Sequence, residues 1–243
     1  MKLTATTIVE SKRIIVDADI CEHMTVVLLK SAGECIVSIN DENIFSVSPR
    51  MHMLRIVGSA LALYDGELLH FYTLTGICTQ SVFVGRHVRH IEPMKEQIAI
   101  TYTDQGVYDE TIGNEVINVV LKDGTLIPKR AFAEQHLLQY DICIAKVKPY
   151  ACLSYNQNAI IHFNEQFDVI YVTPCPFETG NVRAMSYHYP HYLLIEENRF
   201  IRLHEDGSFE AFEQSFSYGM RAVMHRGNIK FLDVCEHRVV GYY

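Results

Sequence analysis

A short unit recurs along this chain: an apolar–Arg–x–apolar start, a second apolar run, then a hairpin. It opens near Arg13, Leu54, Val88, Val182 and Met220, with a copy lacking the Arg near Asp141. Successive starts lie 41, 34, 94 (twice 47) and 38 residues apart, close to the ~40–45 residues of a four-stranded propeller blade. Each copy divides into four short runs. The second reads Leu54–Val57, Ala60–Tyr64, Glu67–Thr73 and Gln80–Val84, and the fifth Val182–Tyr187, His191–Glu196, Arg199–His204 and Phe209–Glu213. The runs are rich in Val, Ile, Tyr and Phe, which is strand chemistry, and helical periodicity is nearly absent. Asp65-Gly66, Asp123-Gly124 and Asp206-Gly207 mark tight turns between runs.

The last copy is one strand short: Met220–His225, Ile229–Val234 and Arg238–Tyr243, after which the chain stops. At the other end, Thr4–Glu10 belongs to no blade. The N-terminal strand is therefore predicted to complete the last blade beside Arg238–Tyr243, which removes an exposed sheet edge. The expectation is an all-β, six-bladed β-propeller over residues 1–243, four antiparallel strands per blade. A β-sandwich is the alternative, because a single blade is only an antiparallel meander.

Composition sets outer limits. With 49% hydrophobic and 21% charged residues the chain can bury a core and is not disordered. A net charge of −8 argues against a duplex-binding domain. No apolar run reaches the ~18 residues of a membrane span. Seven cysteines at irregular spacings, with no Cys-x-x-Cys, suggest reduced and mostly buried thiols in a cytoplasmic protein. No motif calls for a cofactor.

Three segments interrupt the rhythm. Thr103–Val116 reads as an inter-strand loop in blade three, Ala131–Gln139 as a helix-compatible link between blades three and four, and Thr173–Gly180 as the link between blades four and five. The stretch from Val88-Arg89-His90-Ile91 through Tyr102-Thr103-Asp104-Gln105-Gly106-Val107-Tyr108 carries an aromatic–x–Asp–x–Gly–Val–aromatic turn. It resembles a group of uncharacterised bacterial six-bladed β-propeller proteins. The likeness covers about 70 residues, 88–155. It implies the fold and no particular activity. This chain has no Trp, where those relatives often carry one before the acidic turn.

Candidate site residues follow from the register. Arg13, Arg55, Arg89, Arg183 and Arg221 each fall near the start of an innermost strand. Guanidinium groups gathered around a channel mouth suit a small anion. The competing reading pairs each Arg with a carboxylate of a neighbouring blade, with Asp17, Asp19, Glu92, Asp141, Glu197 and Asp233 as partners. Loop candidates are Asp104, Tyr108, His188 and His191. In the 103–109 loop, Asp104, Asp109 and Glu110 offer oxygen ligands. The alternative is a plain turn in which Asp104 accepts backbone N–H groups and Gly106 takes φ > 0. His87/His90 and His188/His191 are spaced by three, which puts strand side chains on opposite faces. No metal is therefore assigned. Tyr187, Tyr189 and Tyr192 form an aromatic patch with the latter histidines. There is no Gly-x-Ser-x-Gly and no phosphate-cradling glycine loop.

Two functions remain. The first is a non-catalytic module presenting loops to a protein partner, or to a small anionic ligand at the channel mouth, with no nucleic-acid or membrane partner. The second is a propeller-type hydrolase with its site at the central channel, either calcium-dependent and lactonase-like or sialidase-like. For the lactonase-like form Glu22, Asn114, Asp141 and Asn181 are the nearest ligand set.

Overall fold

In the computed structural model, the described residues are 2–108, 112, 115–145, 150–188, 190–217, 220–223 and 230–243. They form six four-stranded antiparallel sheets arranged as a β-propeller. Blade one holds β2 (Ile15–Cys21), β3 (Met24–Ser31), β4 (Glu34–Ile39) and β5 (Glu42–Val47). Blade two holds β6 (Met53–Val57), β7 (Ala60–Tyr64), β8 (Leu68–Thr73) and β9 (Cys78–Phe83). Blade three holds β10 (Val88–Pro93), β11 (Gln97–Tyr102), β12 (Ile117–Leu121) and β13 (Leu126–Pro128). Blade four holds β14 (Ile144–Ala145), β15 (Tyr150–Ser154), β16 (Ala159–Phe163) and β17 (Val169–Pro174). Blade five holds β18 (Ala184–His188), β19 (His191–Ile195), β20 (Arg199–His204) and β21 (Phe209–Glu213). Blade six runs β22 (Arg221–Ala222), β23 (Phe231–Cys235), β24 (Arg238–Tyr242) and, on its outer edge, β1 (Ala5–Glu10).

The core is not one cluster but six, each between two consecutive blades. Leu28, Val37, Leu54 and Leu63 fill the seam of blades one and two. Ala184, Leu193, Phe200 and Phe231 fill that of blades five and six. Because each sheet is covered on both faces, its middle strands are apolar at consecutive positions rather than at alternate ones. β15 and β16 show this, with every residue buried. The outer strands face water and are mostly exposed, as in β21.

The ring closes through its termini. β1 pairs with β24 from Ala5↔Tyr242 to Glu10↔Arg238. The ladder extends through Tyr243 N to Thr4 O at 2.9 Å. Leu3 is the anchor: its side chain is buried in the seam of blades five and six, and its backbone exchanges two hydrogen bonds with the Gln214 amide, at 2.9 and 3.1 Å. β1 itself buries little, so its own attachment to blade six rests on the ladder and on Leu3.

Two inserts differ from expectation in detail. The 103–116 segment is not all loop: it contains a helical turn, α1 (Asp104–Val107), N-capped by Thr103. Asp104 Oδ1 accepts from Gln105 N at 2.8 Å. Gly106 does not take a positive φ. It lies in α1, and a Cβ there would come within 2.9 Å of Tyr102 Cβ and 3.0 Å of the His87 carbonyl, so close packing selects it. The second insert forms α2 (Arg130–Gln135), whose Phe132 packs between blades three and four against Phe163 and Phe167. Gly207 has φ +85°, as its Asp-Gly turn requires. Among the described residues no helix is long and apolar enough to cross a membrane.

Deleting residues 1–11 strips blade six of its edge strand, and the expected outcome is self-association on size-exclusion chromatography together with a lowered melting temperature. Leu3→Ala should cost about 2–3 kcal/mol in urea unfolding, without association, because the ladder survives.

Candidate functional site

Strand direction defines two ends of the ring. At one lie the connectors that enter each innermost strand and the turns between the second and third strands. At the other lie the turns between first and second strands. The innermost strands β2, β6, β10, β14, β18 and β22 line the axis between them.

Along this axis the arginines meet acids of other blades. Arg55 on β6 places Nη1 2.6 Å from Asp17 Oδ2 on β2, and both side chains are buried. Its Nε donates to the Ile91 carbonyl of β10 at 3.1 Å. Arg221 on β22 lies 3.0 Å from Asp19 Oδ1 of blade one and also donates to the Ala18 carbonyl. Burial opposes the Arg221 charge, but Asp19 and then Asp17 outweigh it and raise its pKa. The same two aspartates accept the Leu54 and Ile56 backbone N–H groups, each at 2.8 Å. Arg89 of β10 faces Asp141 of the connector into blade four at 3.4 Å. These three pairs therefore tie blades one to two, six to one and three to four. Arg183, just before β18, pairs instead within blade five, with Glu197 at 2.7 Å. Asp233 accepts from the Ser217 hydroxyl.

Arg13 does not join this set. It lies in the connector between β1 and β2, exposed, beside a groove formed with Val9, Glu10 and Ser38. β2 starts only at Ile15, and a bulge between Ile15 and Asp17 resets its faces. The inward position of blade one is thereby given to carboxylates.

Inside the channel sits His90, whose imidazole is held neutral. Burial, then Arg89, Arg55 and Arg221, lower its pKa to about 3. The space beside it is only about 20 Å³, enough for one water-sized occupant. At the end of the ring bearing the first-to-second strand turns, a hollow of about 220 Å³ is lined by Asp19, Arg55, Glu92 and Arg221.

A cavity of about 1010 Å³ opens at the connector end over blades four and five. Arg89 and Asp141 reach it from the channel side, and Tyr155, Asn156, Asn181, Arg183, Glu196, Glu197, Asn198 and Arg199 wall it. Arg199 holds Glu196 through two hydrogen bonds, at 2.6 and 3.0 Å. Asp141 has φ +52°, uncommon for a non-glycine residue, and burial raises its pKa against the pull of Arg89. Tyr155 Oη donates to the Asp141 carbonyl at 2.5 Å and fixes this bend.

The other sequence candidates scatter. Asp104 is the first residue of α1 and Tyr108 caps its C-terminal end, 79% exposed. His188 and His191 face each other across the β18–β19 turn, at the end opposite the large cavity. Asp109, Glu110, Asn114 and Tyr189 lie outside the described residues. Glu22 occupies the β2–β3 turn, at the end away from Asp141 and Asn181, so that ligand set does not converge. Among the described residues no three His, Cys, Asp or Glu side chains gather to hold a metal. All seven cysteines are free, and four are buried. Burial raises the Cys143 and Cys175 thiols to about 11 and about 12, which keeps them protonated and unreactive.

No family model matches the chain, and no curated protein matches it in sequence. Solved structures match it throughout its length. Virginiamycin B lyase from Staphylococcus aureus is 12% identical over 99% of this chain and 98% of its own, with a TM-score of 0.55. The CNH domain of AfRom2 is 10% identical over 94% and 80%, with a TM-score of 0.64. A protein of unknown function from Bacteroides thetaiotaomicron is 9% identical over 99% and 76%, with a TM-score of 0.59. At such identities the likeness is one of fold: the chain is a six-bladed β-propeller, a scaffold shared by an enzyme and by other propeller domains.

Arg55→Met should destabilise the protein by about 3–5 kcal/mol in urea unfolding, because it strands Asp17 in a buried position. Arg55→Met with Asp17→Leu should regain part of that loss. A pH effect is expected from His162, which is buried beside Tyr171 and Tyr192 with a pKa lowered by burial to about 4. Between its ordinary value of 6.5 and that lowered value, the unfolded chain takes up a proton that the folded one refuses. Its share, about 3 kcal/mol, is thus present at neutral pH and lost as pH falls through that window. His162→Leu should flatten this part of the stability–pH curve.

Proposed function

We propose that this protein is a non-catalytic binding module that takes a polar, mixed-charge segment of a protein partner into the cavity at the connector end. One observation supports the reading most: a cavity of about 1010 Å³ with a polar wall, in which Arg89, Arg183 and Arg199 each already face a carboxylate. Pockets for small apolar molecules are typically ~300–1,000 Å³ and lined by hydrophobic groups. A chain segment bringing both carboxylates and cations exchanges partners with the rim pairs. Such exchange is cheapest at Arg183–Glu197, where the carboxylate is exposed, because solvent-exposed pairs are worth ~0–1 kcal/mol.

A small anion among the arginines is the second reading. It is favoured by the grouping of Arg55, Arg89 and Arg221 around His90. The space of about 20 Å³ there limits the occupant to a monatomic ion. The hydrolase reading asks acids from separate blades to converge, and Glu22 and Asp141 stand at opposite ends of the ring.

Gly180 supplies the test. It borders the cavity, and a Cβ added there meets nothing within 4 Å. Gly180→Trp should leave stability within about 0.5 kcal/mol while obstructing the cavity where it borders Gly180. A photo-reactive residue at Asn198 should crosslink one defined partner in extracts of the native host. Gly180→Trp should abolish that product, and the same probe at Ile170 on the exposed edge β17 should not give it. An Asn198 product that survives Gly180→Trp sinks the proposal.

A further inference from the structure

His188 and His191 are left unused by the cavity at the connector end, yet the fold gives them a third companion. The β18–β19 turn brings them into direct register, and β20 places His204 opposite His191. Residues paired across strands project from the same face of a sheet, so the three imidazoles stand in one row. The His191 and His204 rings are 4.3 Å apart, centre to centre. The row continues the face that carries Ala184, Leu193 and Phe200 into the seam with blade six. Next along β20 on that face is Arg202, and Lys230, at the start of β23 in blade six, lies within electrostatic reach of both His188 and Arg202.

The charge around the row decides what it suits. Arg202 is paired with Glu210 at 3.1 Å, and Glu210 lies 3.6 Å from His204 Nε2. Asp206 is engaged in its own turn, accepting from Ser208 N and Oγ at 2.9 and 2.6 Å. Glu205 accepts from Tyr187 Oη at 2.6 Å. Lys230 is half-buried and has no ion-pair partner among the described residues. His191 Nδ1 is buried without a hydrogen-bond partner. Two of the imidazoles are kept towards neutrality: His191 by burial, then His204, Arg202 and His188, and His188 by burial, then Lys230. A divalent metal would meet Arg202 and Lys230 as like charges, and among the described residues no three ligating side chains are gathered for it. An anion instead meets Lys230, Arg202 shared with Glu210, and imidazoles that gain charge as it binds.

We propose that His188, His191, His204, Arg202 and Lys230 form a second binding site, on the end of blade five opposite the large cavity, for a tetrahedral dianion such as a phosphate group. Binding draws protons onto the imidazoles, so affinity rises as pH falls. This site does not rest on the function proposed for the cavity.

Sulfate is the probe that isolates the protein's own titration, because it stays doubly charged across the range where imidazoles titrate. Isothermal titration at constant ionic strength should show sulfate binding at least about tenfold tighter at pH 6 than at pH 8, the span over which histidines charge. Proton uptake should be visible as a dependence of the heat on buffer ionisation. His191→Asn with His204→Asn should remove the pH dependence, and Lys230→Gln should weaken binding about tenfold at both pH values, the loss of one charge-assisted contact. Phosphoserine and inorganic phosphate, run alongside, separate a substituted phosphate from the free ion. Should a variant fail to fold, imidazole proton shifts in the unaltered protein give the second measurement: sulfate, but not chloride, raises the titration midpoints of these three histidines. Identical midpoints in both salts, sulfate affinity equal at the two pH values, or Zn²⁺ binding at the row in place of sulfate would each overturn the proposal.

Discussion

Every blade of this protein has two apolar faces, and neither is stable in water alone. That requirement organises the rest. A sheet such as β14–β17 covers one face against blade three and α2 and the other against blade five. Burying apolar surface is worth about 25 cal/mol per Å², and here it accrues at six seams rather than in one central core. Each blade therefore depends on both neighbours. The arrangement is satisfied only when the last blade meets the first.

Closure makes the termini structural. The seam of blades six and one joins Val223, Leu232 and Val239 to Ile15, Ala18 and Val27. β1 adds the outer strand that carries the chain from blade six into blade one. Leu3, buried in the preceding seam, fixes where that strand begins. The axis is closed by charge rather than by apolar packing. Near it the seams give way to Arg55–Asp17, Arg221–Asp19 and Arg89–Asp141, and the Asp17 and Asp19 carboxylates also accept backbone N–H groups of the next blade. Ions so placed are costly to desolvate and costlier to leave alone. They set the rotational register of one blade on the next.

Much of this architecture is legible in the sequence. The repeat length, the four runs per copy, the Asp-Gly turns and the orphan strand at the N-terminus led to six blades and to their closure, because strand chemistry and turn chemistry are local. The helix-compatible link at 131–139 is helical over its first part, in α2 (Arg130–Gln135). The candidate site was legible only in part. Arg55, Arg89 and Arg221 stand on innermost strands, and the acids they meet, Asp17, Asp141 and Asp19, are among the partners the sequence offers. Arg13 was assigned by repeat phase alone. The bulge between Ile15 and Asp17 breaks that phase, because one extra residue moves every following side chain to the other face. The plain-turn reading gives Gly106 a positive φ, whereas in the fold it is the close approach of Tyr102 and His87 that demands glycine there.

By itself the sequence determined what each segment is: a strand, a turn, an edge, a reduced thiol. These properties depend on a residue and its near neighbours. The tertiary structure decided what each charged group does. Whether an Arg meets an acid of its own blade, as Arg183 does, or of the next, as Arg55 does, depends on how two sheets are rotated about a common axis. The same holds for His204, 13 residues from His191 in sequence and beside it in space. Coulomb interactions fall off with distance through space and take no account of distance along the chain, so only the assembled ring brings these groups together.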